Sequence, residues 1–104
     1  MAQGATKKVQ TDEDVKRKAI KLVISHLKRK VAGEPEQNKA HINEWIENIE
    51  KLLGKPEFNL SEYIQIRKEL NDVIERTYDE GLRFKLRDSW YSLGKAMERK
   101  VKRR

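Results

Sequence analysis

The chain contains no cysteine, which excludes a disulfide framework and any thiolate metal site and leaves the redox compartment open. It has no apolar run long enough to cross a bilayer. Its start, MAQGATKKVQ, lacks the apolar stretch of a secretory signal. A soluble, cytoplasmic protein is expected. Apolar residues are also scarce, at 37% against 39% charged in 104 residues, enough for one domain with a modest core. Their strict periodicity argues against disorder.

Catalytic patterns are missing as well. The two histidines, His26 and His41, belong to no Glu-x-x-His or His-Glu-x-x-His arrangement, so a bundle metal site lacks its ligands. Asp12-Glu13-Asp14 lacks the glycine and distal glutamate of a calcium loop and suits the positive end of a helix dipole instead. Gly54-Lys55 and Gly94-Lys95 have neither the following hydroxyl nor the upstream glycine of a phosphate loop. Asn59-Leu60-Ser61 matches a glycosylation sequon but reads better as a helix cap. Ser25, Ser61, Ser89 and Ser92 have no recognisable nucleophile context. The expectation is a non-enzymatic protein without metal or cofactor.

What is present is helical periodicity. The spacing predicts an all-α fold: an antiparallel up-down-up-down four-helix bundle over residues 11–104, preceded by a flexible arm over residues 1–10. The first helix is expected from about Asp12 to Ala32, capped by Thr11 or Asp12, with Val15, Ala19, Ile20, Leu22, Val23, Ile24, Leu27 and Val31 on one arc and Gly33 as its stop. The second, about Pro35 to Leu53, carries Ile42, Trp45, Ile46, Ile49, Leu52 and Leu53 inward, and Gly54 and Pro56 end it. The third, about Leu60 to Tyr78, starts at Asn59 with Glu62 in a capping-box spacing. Its inner stripe is Tyr63, Ile66, Leu70, Val73, Ile74 and Thr77. The fourth, about Leu82 to Val101, carries Leu82, Leu86, Trp90, Leu93, Met97 and Val101.

Two ambiguities accompany this reading. Leu82 to Leu86 alternates like a strand, but the longer helical stripe outweighs it. The third and fourth helices would also form one rod if Gly81 were tolerated, at about 1 kcal/mol. Their stripes would then lie roughly 140° apart, which one core cannot bury. A break at Asp79-Glu80-Gly81 is therefore expected, with a continuous helix serving two interfaces as the alternative.

Charge is distributed unevenly. Residues 1–33 carry nine cations and three acids, residues 34–81 six cations and twelve acids, and residues 82–104 nine cations and two acids. In an up-down bundle the first and last helices are neighbours, so the basic segments share one side and the acidic middle the other. Arg17, Lys18, Lys21, Lys28 and Arg29 fill the arc opposite the first apolar stripe. Lys28, Arg29, Lys30, Arg99 and Lys100 suit helix C-termini without any partner. Arg17, Lys18 and Lys21 oppose the dipole and point to an electrostatic partner. On the fourth helix Phe84 and Tyr91 lie seven apart, off the apolar stripe, in line with Lys95 and Lys102 and beside Arg87. Rings and cations along one line suit a single strand of nucleic acid, or a protein partner. The plainer alternative is that both rings widen the buried arc.

The candidate binding residues are therefore Arg17, Lys18, Lys21, Lys28, Phe84, Arg87, Tyr91, Lys95, Lys102 and Arg103. The leading expectation is a nucleic-acid-binding bundle that contacts phosphates without reading sequence. The alternative is a protein-interaction module (adaptor, assembly factor, immunity protein or inhibitor) whose basic face meets an acidic partner or whose acidic face meets a basic one. Membrane binding ranks last, because the first helix has no aromatic anchor. No helix-turn-helix or RNA-recognition signature is present.

Overall fold

A computed structural model describes residues 10–101. It contains four helices, α1 Asp12–Val31, α2 Glu36–Leu53, α3 Leu60–Glu75 and α4 Glu80–Met97, and no strand among the described residues. The expected arm over 1–10 lies, except for Gln10, outside that range, as do Lys102, Arg103 and Arg104.

Local chemistry sets the helix starts. Thr11 caps α1 in a reciprocal box, its hydroxyl accepting from the Asp14 amide at 3.1 Å while Asp14 accepts from the Thr11 amide at 3.2 Å. Pro35 stands at the start of α2 and has no side-chain acceptor to cap it; its carbonyl accepts from the Asn38 amide at 2.9 Å. Asn59 caps α3 by accepting from the Ser61 amide at 3.0 Å. The expected box with Glu62 does not form, because that carboxylate pairs with Lys55 at 3.2 Å.

The break between α3 and α4 falls earlier than expected. α3 stops at Glu75, and the Thr77 side chain folds back to donate to the Val73 carbonyl at 2.7 Å. Asp79 then caps α4, accepting from the Leu82 amide at 2.8 Å. The Asp79 cap recruits Glu80 and Gly81 into the first turn, so the connection is Arg76 to Asp79. The other end of α4 is shorter than expected, closing at Met97. Beyond it the chain turns onto α1: the Lys16 ammonium donates to the Arg99 carbonyl, and the Val101 amide donates to the Asp12 carboxylate at 2.8 Å. Val101 is half-buried there, outside any helix.

Each helix gives one stripe to a common core. Ile20, Ile24, Leu27 and Val31 come from α1, Ile42, Trp45, Ile46 and Ile49 from α2, Tyr63, Leu70 and Val73 from α3, and Leu82, Leu86 and Leu93 from α4. α1 packs most extensively on α4 and also touches α2, and α3 touches α2 and α4. Of the residues expected inward, Val15, Ala19, Val23, Trp90 and Val101 are only half-buried and Leu22 is exposed. Leu22 is 58% exposed; about 200° around the helix from Ile20, it faces away from the stripe that the neighbours cover. Trp90 packs only at the core margin, because Ser89 and Ala96 widen the buried stripe of α4 on its other side.

Candidate nucleic-acid interface

The cations of α1 divide according to which side of the helix they occupy. Arg17 lies toward α2. Its guanidinium donates to the carbonyls of Leu53 at 3.0 Å, Lys55 at 2.8 Å and Pro56 at 3.3 Å. These are carbonyls at the α2 C-terminus and in the following loop, where helical partners run out and a cation meets the negative dipole end. The group also stands 5.8 Å from the centre of the Phe58 ring. Arg17 thus has a structural task that its sequence position does not reveal. Lys28, on the same side, pairs with Glu50 at 2.8 Å. Toward α4, Lys30 pairs with Asp88 at 2.8 Å, and Lys85 reaches Glu34 at 3.9 Å.

Lys18, Lys21 and Arg29 are exposed and form no ion pair among the described residues. Lys18 and Arg29 flank Leu22 on the outward face, while Lys21 lines a groove of about 390 Å³ against α2 with Ser25, Lys28, Glu50 and Gly54.

On α4, Phe84 is 73% and Tyr91 59% exposed, so neither ring widens the core. Both point away from the buried line of Leu82, Leu86 and Leu93, with Arg87 between them and exposed. The Lys95 ammonium lies 4.9 Å from the centre of the Tyr91 ring. Asp88 is the acid on this face, and Lys30 balances it. Arg87 and Lys95 have no carboxylate partner among the described residues. Of the ten candidates, the structure brings Phe84, Arg87, Tyr91 and Lys95 onto one surface of α4, beside the helix that carries Lys18. Arg17 and Lys28 are drawn into the α1–α2 seam, and Lys102 and Arg103 lie outside the described residues.

Periodicity alone missed the seam between α3 and α4. The Arg67 guanidinium stacks 3.7 Å from the centre of the Trp90 ring, and its Nε donates to the Trp90 carbonyl at 2.9 Å. It occupies the space that a Cβ on Gly94 would take. A glycine inside a helix is the visible signal of such a close approach, but only the fold says what approaches. Burial lowers the pKa of Arg67, with Glu98 opposing the shift.

Several buried polar groups are satisfied inside the fold, whereas Tyr63 Oη, Arg83 Nε and Trp90 Nε1 are buried without a hydrogen-bond partner among the described residues. Trp45 is buried, and its indole N–H donates to the Ile66 carbonyl at 2.8 Å. His41 Nε2 lies 2.8 Å from the Thr77 hydroxyl. Since that hydroxyl already donates to Val73, neutral His41 supplies the proton from Nε2. Burial lowers the His41 pKa, and nearby Arg76 adds to the effect. His26 is exposed. Tyr63 stacks on Phe58 with ring centres 4.8 Å apart. Its buried hydroxyl has no hydrogen-bond partner among the described residues, and burial raises its pKa. No group of three His, Asp or Glu side chains is placed to hold a metal among the described residues, and no described helix is long and apolar enough to cross a membrane.

Compared with protein families, with curated proteins and with solved structures, the chain matches none. The functional reading therefore rests on its own residues.

Proposed function

We propose that this chain is a soluble, cytoplasmic, non-catalytic binding module that holds nucleic-acid phosphates on the outer surface of α1 and α4. The observation that carries this reading is the lack of internal partners for its outward cations: Lys18, Arg29, Arg87 and Lys95 form no ion pair among the described residues. Of the seventeen acids, eight lie on α2 and α3 and five on α1 and α4. Such a surface concentrates polyanions and steers their approach. The reading includes an up-down-up-down bundle. Contacts joining the start of α1 to the segment after α4, the end of α1 to the first half of α4, Arg17 to the end of α2, and Lys55 to Glu62 all support it.

A second reading, an acidic protein partner on the same surface, draws support from Leu22, an aliphatic side chain at the middle of the outward α1 face. Binding measured across a salt series separates the two. A nucleic-acid binder loses affinity steeply with salt, and Lys18→Glu combined with Arg29→Glu weakens it at least about ten-fold and flattens the salt slope by about one unit per cation removed. No binding to DNA or RNA at low salt removes the first reading. Arg17 is unsuitable for this test, since its replacement disturbs the α1–α2 seam.

A further inference from the structure

Building on that reading, we infer that the ligand is single-stranded nucleic acid, with unpaired bases stacking on Phe84 and Tyr91 while Arg87 and Lys95 meet the adjoining phosphates. Exposed aromatics on a cationic surface are the central observation. Phe84 and Tyr91 are 73% and 59% exposed on a helix that buries Leu82, Leu86 and Leu93 completely or nearly so, so the rings are not there for the core. They are seven residues apart, which places their attachment points about 10.5 Å apart along the same line of the helix. That distance exceeds the separation of two bases stacked on each other, so the rings serve bases that are not stacked neighbours. A duplex hides its base faces inside its own stack and has nothing to offer these rings. A single strand exposes them.

The charges around the rings suit this ligand. Arg87 lies between the rings on one side and Lys95 beyond Tyr91 on the other. Asp88, which would repel a phosphate, is held by Lys30 at 2.8 Å. Lys95 now covers the face of Tyr91. An exposed cation on a ring is a weaker contact than a stacked base, so an incoming base displaces the ammonium toward the backbone that brings the base. Tyr78, fully exposed in the α3–α4 turn, is not part of the platform, because Asp79 and Glu80 beside it oppose a phosphate backbone.

Anisotropy titrations at low salt test the inference, using labelled oligo-uridine and oligo-thymidine of about 16 nucleotides and a mixed-sequence duplex of equal length. The wild-type chain should bind the single strands at least about ten-fold more tightly than the duplex. Phe84→Ala with Tyr91→Ala should weaken single-strand binding by on the order of 100-fold, at about ten-fold per ring. Duplex affinity and the salt slope should not change. Tyr91→Phe, which keeps the ring, should retain single-strand affinity. Circular dichroism of the double variant confirms that the helices persist, as expected for two exposed positions. Equal wild-type affinity for single strand and duplex, or unchanged single-strand affinity in the double alanine variant, overturns the stacking inference and leaves the phosphate reading standing. No binding to any of the three probes overturns both and leaves the acidic-protein reading.

Discussion

The seams between helices and the outer face of α1 and α4 use the same residue types for different ends. In the seams, Arg17 lies against Phe58 and Arg67 against Trp90; Arg17 donates to three backbone carbonyls and Arg67 to one. On the outer face, Lys95 lies against Tyr91, but both side chains are exposed and no carbonyl accepts from the ammonium among the described residues. A cation beside a ring is therefore not itself a binding signal. What separates the two regions is whether the protein has already satisfied the cation's donors. Arg17 and Lys18 are adjacent in sequence and fall on opposite sides of that division.

Removing one arginine from each region separates their roles most clearly. Arg17→Ala strips charged donors from the carbonyls at the end of α2 and should cost about 1.5–3 kcal/mol. Arg87→Ala should change stability by no more than about 0.5 kcal/mol while weakening anion binding. Urea unfolding of both variants reads the difference, and equal stabilities would mean that Arg17 is no more structural than Arg87.

Within the seams, Tyr63→Phe should stabilise the fold by about 1 kcal/mol, because it removes a buried hydroxyl with no partner. A loss of stability would show that a water or other group satisfies it. The effect of Gly94→Ala depends on whether Arg67 is present. In the wild-type background the new methyl displaces Arg67 from Trp90, and the helix-propensity gain is offset. In an Arg67→Ala background the obstacle is gone, and the same change should stabilise by about 1 kcal/mol. Thermal unfolding of the four combinations tests this, and simple additivity would refute the steric account.

The smallest effect concerns His41. Its folded pKa is lowered below the ordinary 6.5, so the fold prefers the neutral ring. Above the unfolded value both states are neutral and the full stability is present. As pH falls from there through the lower folded value, the unfolded chain takes up the proton first and stability declines. His41→Gln should remove that shallow slope from a denaturation series between neutral and mildly acidic pH.

Much of this architecture was legible because burial in helices repeats with a simple period. Ile42, Trp45, Ile46 and Ile49 read as one inward line and are one. The misreadings share a cause. Leu22 is apolar and was expected inward, yet only neighbouring helices decide how wide a stripe is covered, and here it faces solvent. The capping role of Arg17 depends on where α2 ends, some thirty-six residues later in the chain. For Phe84 and Tyr91, periodicity placed both off the main stripe but could not decide whether a neighbour covered them.

The strap between Asp12 and Val101 has a topological consequence. A direct hydrogen bond joins the first residue of α1 to the segment after α4, so the described fold begins and ends at one place and behaves as a closed ring of four helices rather than a line. Which turn is left open then matters little to the core. A chain opened between Val31 and Glu36, with the residues flanking α1 and α4 joined by a short linker, should therefore refold to the same packing.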